Sequence, residues 1–461
     1  MNLTKEDINY FKSIVGEDNV YTDKAHKRAY SYDATRESYE PDAVIFPRSE
    51  EDISKILKYC NEKKIAIVPR GAGSGFTGGA LPVNGGITLA MEKHMNKILE
   101  IDLENMLAIV QPGVINRDLQ RHVEELGLFY PPDPASQDYS TIGGNVSENA
   151  GGMRAAKYGL TKDYVMALRA VLANGDIIRA GKKTIKDVAG YNIAGILIAS
   201  EGTLGVITQI TLKLLPKPKF VKSYMGIFSD VKSAMNAVFK SLASGANPVA
   251  MEFLDSLVVK AVQEKLGVSL PSDAGALLIG DVDGNVIEEV EFQLETLQKS
   301  FEENGAIGFE VAKEQSKRDE LWRARRGASQ SITIYGSKKL NEDISVPRSR
   351  LPEALEEIYK IGAKYNLKVP CFGHAGDGNI HVNVMVDGSN KEELENGHKA
   401  IKEIFQLVVD MEGTLSGEHG IGLSKAEFMD IAFSKEELNL FKRIKDAFDP
   451  NGILNPGKMG L

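Results

Sequence analysis

The chain has 461 residues, of which 43% are hydrophobic and 26% are charged, and its formal net charge is −9. This length suggests about three domain-sized units, and the apolar content is sufficient for a core in each. The acidic balance argues against a nucleic-acid partner, because too few cations remain to neutralise phosphates. The chain has only two cysteines, Cys60 and Cys371, which excludes a disulfide framework and a four-cysteine iron–sulfur cluster within it.

We expect no targeting signal in residues 1–20, because they are polar and acidic and lack the apolar segment of a signal peptide. No apolar run in the sequence is long enough for a transmembrane helix. We therefore expect a cytoplasmic protein without a transmembrane segment.

A β-α-β unit is predicted over residues 44–68. A short strand at 44–47 precedes a helix for which Ser49 is the N-cap, with acidic residues in the first turn. Apolar residues then recur at helical spacing, at Ile53, Ile56, Leu57 and Cys60. The helix leads into a second strand at 65–68, and its apolar face is expected in a core.

Residues 69–79 form a glycine-rich loop directly after that strand. Successive backbone N–H groups of such a loop make a nest for an anion such as a pyrophosphate. Residues 73–78 match G-x-G-x-x-G, but a strand at 87–91 follows where a Rossmann fold requires a helix. The loop is therefore either a phosphate-binding loop between two strands or a flexible surface hairpin.

A second glycine-rich region covers residues 131–134 and 141–152. It lacks apolar periodicity and is too rich in small residues for an ordinary core. Two such regions suggest a backbone that lies close along an extended ligand. A hairpin follows over residues 165–180, with its turn at Asn174-Gly175.

Pro216 and Pro218 mark a boundary after a strand that ends near residue 215. The pattern then changes to longer charged helices, which we predict at 231–243, 286–303, 352–365 and, near the end of the chain, 435–448. The segment 321–326 carries the only tryptophan and three arginines. These arginines either form a solvated helix face or grip a carboxylate in bidentate fashion.

Three of the seven histidines lie in two short segments, residues 373–381 and 416–422. After His381 the residues alternate with a period of two, which predicts a strand with one buried apolar face. His381 and Asn383 then project from the same side of that strand.

His374 lies seven residues before His381, an odd offset that an unbroken strand would point to the opposite side. Glycines between the two histidines allow a turn that returns His374 to the same side as His381. Imidazoles and a carboxylate are ligands for zinc, manganese or iron. Adjacent Glu418 and His419 normally point apart, so that one can bind a metal while the other acts as a base. The alternative is that all of these are ordinary polar turn residues.

Several motifs resemble a known flavoprotein family. Pro-Arg-Gly-Ala-Gly-Ser-Gly at 69–75, the glycine-rich motifs at 141–152 and Ser-Glu-Gly-Thr-Leu-Gly at 200–205 resemble the FAD-binding half of the vanillyl-alcohol oxidase / p-cresol methylhydroxylase family. Gly-His-Ala-Gly-Asp-Gly-Asn-Ile-His at 373–381, Ser-Gly-Glu-His-Gly-Ile-Gly at 416–422 and the Asn-Pro-Gly-Lys ending resemble its FAD-linked D-2-hydroxyacid dehydrogenase branch. That branch includes D-lactate dehydrogenases, the glycolate oxidase D subunit and D-2-hydroxyglutarate dehydrogenase.

The resemblance implies an α+β fold, with a two-subdomain FAD-binding domain and an inserted cap domain over an antiparallel sheet. The expected domains are residues 1–218 for FAD binding, split near residue 100, residues 219–415 for the cap and substrate, and residues 416–461 as a segment that returns to the FAD domain. FAD is expected to be noncovalent, because residues 69–79 contain neither histidine nor cysteine.

The resemblance also implies site residues. A divalent metal, zinc, manganese or iron, would be held by His374, His381 and Glu418. The catalytic residues would be His419 as base, Arg325 on the substrate carboxylate, and Asn383 nearby. FAD would contact Pro69, Arg70, Gly71, Ala72, Gly73, Ser74, Gly75, Thr77, Gly78, Pro132, Asp133, Thr141, Gly143, Gly144, Asn145, Ser147, Asn149, Gly151, Gly152, Tyr158, Glu201, Gly202, Gly205, Val206, Ile207 and Asn455.

The expected reaction is oxidation of a small D-2-hydroxy acid, in which His419 takes the hydroxyl proton and hydride passes from C2 to flavin N5. Ser329 stands where some members of the branch have a threonine, and Asn341 stands where some have a lysine. Without that lysine a dicarboxylate loses a contact, which favours D-lactate over D-2-hydroxyglutarate, with glycolate also open.

The electrons would pass to an external acceptor, such as an electron-transfer flavoprotein, an iron–sulfur subunit, a quinone or a cytochrome. Three other functions remain open. They are a metal-dependent hydrolase without flavin, a non-redox enzyme like alkyl-dihydroxyacetonephosphate synthase, and a flavin-carrying electron-transfer subunit without a substrate of its own.

Overall fold

A computed structural model describes residues 3–271 and 274–461. The helices are α1 (Lys5–Val15), α2 (Lys24–Ala29), α3 (Glu50–Lys63), α4 (Asn116–Glu125), α5 (Ile142–Glu148), α6 (Ala155–Tyr158), α7 (Ile193–Leu197), α8 (Val231–Ala243), α9 (Ser256–Leu266), α10 (Ile287–Glu303), α11 (Gln315–Ser331), α12 (Leu351–Lys364), α13 (Lys391–Asp410), α14 (Met429–Ala432) and α15 (Lys435–Phe448). The strands are β1 (Val20–Tyr21), β2 (Ala43–Ile45), β3 (Ile67–Arg70), β4 (Ile87–Ala90), β5 (Ile98–Asp102), β6 (Leu107–Val110), β7 (Leu128–Phe129), β8 (Val165–Val171), β9 (Ile177–Gly181), β10 (Val206–Lys213), β11 (Leu215–Pro216), β12 (Phe220–Phe228), β13 (Ala250–Asp255), β14 (Ala276–Gly284), β15 (Ala306–Val311), β16 (Lys338–Ser345), β17 (Cys371–His374) and β18 (Asn379–Val386).

The chain divides into two compact units. Unit 1 consists of Met1–Gly151, Leu160–Lys217 and Glu418–Leu461, and unit 2 of Gly152–Gly159 and Pro218–Gly417. Both units mix helices with sheets, which confirms the α+β class. None of the helices in the described ranges has the length and hydropathy needed to cross a bilayer.

The first sheet of unit 1 has the order β1-β2-β4-β3, in which β2, β4 and β3 are parallel. The predicted helix between β2 and β3 is confirmed as α3, and the Ser49 hydroxyl accepts a hydrogen bond from the Asp52 N–H at its start. The apolar face of α3 is buried in the core cluster of this sheet. Each fully buried Ile or Leu on that face stabilises the fold by about 1.5–3 kcal/mol.

The second sheet of unit 1 is antiparallel, with the order β5-β6-β10-β8-β9. The hairpin predicted around Asn174-Gly175 is confirmed as β8 and β9, and the Asn174 side chain accepts a hydrogen bond from the Asp176 N–H in the turn. The end of the chain lies beside β3 of the first sheet, where Ile67 N–H donates to Ile453 O and Asn455 N–H donates to Ile67 O. Unit 1 is therefore completed by its last residues.

Unit 2 is built on a seven-stranded sheet with the order β15-β12-β14-β13-β17-β18-β16. All of its pairings are antiparallel, so an antiparallel sheet is confirmed. The prediction that β18 has only one buried face is wrong, because every residue of this strand is buried. The reason is a helix layer on each side: Gly397 of α13 packs on Val384 and Val386, while Met385 lies in a cluster with residues of α9 and α11.

Candidate functional site

Unit 1 contains a cavity bounded by the two glycine-rich regions, by residues 201–207 and by Glu418 and His419. Most of the residues expected to contact FAD line it: Pro69, Arg70, Gly71, Ala72, Gly73, Ser74, Gly75, Thr141, Gly143, Gly144, Asn145, Ser147, Gly151, Glu201, Gly202, Gly205, Val206 and Ile207. Segments far apart in the sequence thus form one wall, as an extended ligand requires.

The first glycine-rich loop is suited to an anion. Residues 72–75 line the cavity, and their backbone N–H groups donate to no acceptor within the described chain. Arg70 is buried below the loop, where its guanidinium donates to Tyr32 O (2.8 Å) and lies over the Tyr30 ring. At Gly71 a Cβ would overlap the Thr141 hydroxyl, so glycine allows close approach of the two regions. Backbone N–H groups that have no partner, in a loop supported by the buried Arg70, are suited to donate hydrogen bonds to the phosphates of a dinucleotide.

The second glycine-rich region begins with the short helix α5. The Thr141 hydroxyl caps it by accepting from the Gly144 N–H, and Gly143 packs directly on Pro112, where a Cβ would lie 2.5 Å from the proline Cβ. The Asn145 side chain donates to Asn116 Oδ1 (3.0 Å). The small residues therefore serve helix packing as well as access to the cavity.

The remaining residues expected to contact FAD lie outside the cavity lining: Thr77, Gly78, Pro132, Asp133, Asn149, Gly152, Tyr158 and Asn455. Two of them support the lining from behind. The Asn455 side chain donates to Gly79 O (2.8 Å) and Glu201 O (2.6 Å), and the Thr77 hydroxyl donates to His419 O (3.2 Å). Tyr158 belongs to unit 2, where its hydroxyl donates to Asp283.

Glu201 fixes the segment that carries His419. Its carboxylate accepts from the N–H groups of Ile421 (2.7 Å) and Gly422 (2.8 Å). Glu418 and His419 both line the cavity, with His419 Nε2 3.9 Å from Glu418 Oε1. The expectation that they point apart is wrong, because the chain bends at residues 417–419 instead of running extended.

In unit 2, β17 and β18 form the hairpin predicted to reunite two histidines. Gly378 in the turn has a φ of 89°, and Phe372 pairs with His381 across the strands. The rings of His374 and His381 are 5.2 Å apart between centroids, and both side chains are buried. Two imidazoles therefore converge on one end of the hairpin.

Glu252 of β13 holds this cluster together. It is fully buried, and both of its oxygens lie 2.8 Å from His374 Nδ1. Arg325 of α11 donates from Nε and Nη2 to the same carboxylate, each at 2.7 Å, and its guanidinium lies over the Phe372 ring. Because a carboxylate only accepts hydrogen bonds, Nδ1 of His374 carries a proton, and in the neutral ring this leaves the lone pair on Nε2 for a metal.

Neighbouring polar groups complete the cluster in unit 2. The Asn383 amide donates to Pro370 O and His381 O, while its Oδ1 is buried and accepts no hydrogen bond within the described residues. Asn341 pairs with Asn383 across β16 and β18. Lys339, two residues earlier on β16, donates to the Ser329 hydroxyl at 2.6 Å.

Two carboxylates were missed by the sequence reasoning, Glu148 in the cavity wall and Glu252 in unit 2. The signal for Glu252 was present: it is the acidic residue inside the apolar run Ala250–Asp255, and a charge within a buried strand requires partners. The signal for Glu148 was weaker, because it follows directly after small residues that resemble a turn.

Two family models match the chain, an FAD binding domain over residues 41–181 and the C-terminal domain of FAD linked oxidases over residues 217–459. The glycolate oxidase subunit GlcD of Bacillus subtilis is 43% identical, covering 99% of this chain and 97% of that protein. A D-lactate dehydrogenase of Anaerostipes hadrus is 35% identical (99% and 98% covered), and a D-2-hydroxyglutarate dehydrogenase of Stutzerimonas stutzeri is 32% identical (98% and 98% covered).

Solved structures share the fold. The structure of p-cresol methylhydroxylase aligns with a TM-score of 0.82 at 20% identity, covering 100% of this chain and 98% of that chain. Alkyldihydroxyacetonephosphate synthase aligns with a TM-score of 0.75 at 20% identity, covering 99% and 86%. The vanillyl-alcohol oxidase / p-cresol methylhydroxylase fold expected from the motifs is therefore confirmed.

Proposed function

The chain belongs to the FAD-linked oxidase family, and from this premise we propose that it oxidises a small D-2-hydroxy acid to the 2-oxo acid. The observation that carries the proposal is His419 in the wall of the cavity that the FAD-binding motifs line. Imidazole is the side chain that enzymes use most often as a general base. In this proposal residues 1–218 bind FAD, residues 219–415 contribute substrate-binding side chains, and residues 416–461 supply Glu418 and His419.

Each side chain has a distinct task. His419 accepts the proton of the substrate hydroxyl, and Arg325 directs its remaining N–H groups at the substrate carboxylate, which orients C2. When bound, FAD supplies the two-electron oxidation and a divalent metal supplies Lewis acidity. Asn383, with its unpaired buried Oδ1, is suited to accept a hydrogen bond from the substrate.

The metal ligands in this proposal are His374, His381 and Glu418, and the ion is zinc, manganese or iron. The support within unit 2 is the Glu252 bond to His374 Nδ1, since a carboxylate behind a histidine is the usual way to orient a metal ligand. Ser416 donates to Asp343 (3.1 Å) and thereby fixes the chain two residues before Glu418. The three side chains together offer two imidazole nitrogens and a carboxylate oxygen.

D-lactate is the substrate we favour, because Asn341 supplies no cation for a second carboxylate. The curated relatives include enzymes named for glycolate, D-lactate and D-2-hydroxyglutarate. One observation favours D-2-hydroxyglutarate as a second candidate. Lys339 lies on the same side of β16 as Asn341 and bonds to Ser329, one helical turn after Arg325. Lys339 therefore places a positive charge near position 341, where some relatives have a lysine and this chain has the neutral Asn341.

The test is anaerobic bleaching of the purified yellow protein by D-lactate, L-lactate, glycolate or D-2-hydroxyglutarate. We expect D-lactate to reduce the flavin and L-lactate to leave it oxidised. If D-2-hydroxyglutarate reduces it faster, Lys339→Met should abolish that preference, whereas Lys338→Met, an exposed neighbour on the opposite side of the strand, should not. A flavoprotein that none of the four acids reduces would overturn the proposal.

The reduced flavin would then pass its electrons to an external acceptor. With two cysteines the chain has no cluster-binding motif of its own. We propose an electron-transfer flavoprotein or an iron–sulfur subunit as the acceptor. The check is whether either of these, added to the substrate-reduced protein, restores the oxidised flavin spectrum.

A further inference from the structure

The Glu148 carboxyl lies in the wall of the unit 1 cavity, at the end of α5. Its Oε2 atom is buried and has no hydrogen-bond partner within the described residues. Its Oε1 atom lies beside Gly79, where a Cβ would be 2.8 Å away, and the carboxyl also lies against Gly420. A carboxyl oxygen that is buried without a hydrogen-bond donor favours the neutral form of the group, while the residue as a whole is half-buried and lines the cavity.

The surroundings of Glu148 disfavour a negative charge on it. Burial is the larger cause and repulsion by Glu201 and Asp33 the smaller, and together they raise the pKa of Glu148 well above its usual value. Burial raises the pKa of Glu201 as well, but the N–H groups of Ile421 and Gly422 and the ammonium groups of Lys458 and Lys425 oppose that rise. Glu148 has no such compensation, so the negative charge of the pair is favoured on Glu201.

Other charged or titratable groups in the same cavity wall are Arg70, Tyr139, Glu418 and His419. Arg70 directs Nη2 at the Tyr32 carbonyl and Nη1 at the Ala80 carbonyl. The printed hydrogen bonds of Arg70 thus go to backbone carbonyls and not to Glu148, and the raised pKa of Glu148 favours its neutral form, which has one O–H to donate.

We propose that Glu148, as a neutral carboxylic acid, donates a hydrogen bond to a carbonyl oxygen or ring nitrogen of the bound flavin and thereby raises its reduction potential. The position at the ring rests on the proposed function, because Glu148 lies against Gly420, the residue after the proposed base His419. Electron density on these ring atoms increases on reduction. A donor aimed at them stabilises the reduced flavin more than the oxidised flavin.

The test measures the flavin reduction potential of the holoenzyme at pH 7, against reference dyes and with dithionite as reductant. Glu148→Gln keeps an N–H donor and should keep the potential close to that of the unmodified protein. Glu148→Ala removes the donor, and at a fixed applied potential its ratio of reduced to oxidised flavin should fall about tenfold, since one such bond is worth about that factor. Glu51→Gln, at an exposed carboxylate of unit 1, is the matched control and should leave the flavin reduction potential unchanged.

The direction in which the flavin reduction potential changes in the Glu148 variants decides whether the proposal holds. If Glu148 is a carboxylate, both the Gln and the Ala variant raise the potential, because each removes a negative charge that opposes electron uptake. That result, or an Ala variant indistinguishable from the control, overturns the proposal, and so does a protein that carries no flavin. If the Ala variant loses its flavin, the Gln variant alone gives the sign of the effect. Reduction by dithionite needs no hydroxy acid, so failure of every candidate substrate would refute the proposed function and leave this test intact.

Discussion

Replacing Glu252 by Gln should separate the histidine cluster from its support. The carboxylate is fully buried and accepts hydrogen bonds from His374 Nδ1 and from two nitrogens of Arg325. Glutamine has nearly the same volume but offers a single acceptor oxygen, and its amide N–H groups would face the donors that remain. The change leaves a nearly buried guanidinium without its counter-charge and allows the His374 ring to rotate.

The magnitudes follow from this geometry. Loss of a carboxylate behind a metal-ligating histidine weakens metal binding about 10- to 100-fold. Breaking a buried ion pair by removing one partner costs about 3–5 kcal/mol. The side chains of Arg325 and Glu252 are 9% and 0% exposed, so solvent screening reduces this cost little. We therefore expect Glu252→Gln to lose both metal affinity and stability.

Metal affinity is measured by competition with a chelator, and stability by denaturant unfolding of the metal-free protein. The fluorescence of Trp322, the only tryptophan, reports on unit 2. Asp255→Asn is the matched control on the same strand, because Asp255 is buried and accepts from the N–H groups of Val258 and Cys371 but contacts no histidine. Its amide oxygen can still cap the helix that begins at Ser256, so it should lose about 0.5–1.5 kcal/mol with the hydrogen bond from the Cys371 N–H and keep its metal affinity. A Glu252→Gln protein that binds metal within twofold of the unmodified protein would refute the reasoning.

Three further predictions concern single side chains. His419→Ala should keep the flavin spectrum but lower kcat about 10²- to 10⁴-fold in stopped-flow reduction, and near-normal turnover would contradict its role as base. Gly71→Ala should weaken FAD binding by about 1–3 kcal/mol through overlap with the Thr141 hydroxyl; an equal loss in a Thr141→Ala background would show that the overlap is not the cause. Burial raises the pKa of Asp255 to about 6, so the folded state holds its proton at a pH where the unfolded chain has lost it. The unfolding free energy relative to Asp255→Asn should therefore fall as the pH rises from about 4 to 6, and a constant or rising difference would show that Asp255 is ionised in the fold.

Local patterns predicted the local structure. The helix α3 followed from apolar spacing and the Ser49 cap, and the β8–β9 hairpin from Asn174-Gly175, because neighbours in sequence determine these features. The helix α5 could not be predicted in this way. Its glycines disfavour a helix, and the packing of Gly143 on Pro112 that stabilises it comes from a separate segment.

The site was only partly accessible to the same reasoning. The glycines between His374 and His381 predicted their reunion, since a short hairpin is a local feature. The role of Glu252 depends on the pairing of β13 with β17, which brings together residues 122 positions apart in the chain. No periodicity in one sequence encodes the register of such distant strands. A buried acidic residue in an apolar strand indicates that it has hydrogen-bond or charged partners, but the sequence does not identify them.

The hydrogen bonds from the chain end to Ile67 and Glu201 have a consequence for biosynthesis. A ribosome delivers the β3 strand and its glycine-rich loop long before it delivers Asn455, with all of unit 2 translated in between. The Asn455 side chain can therefore donate to Gly79 O and Glu201 O only after the ribosome has passed residue 455. Until then this part of the cavity wall lacks those hydrogen bonds, so the wall acquires its last internal support after unit 2 has been translated.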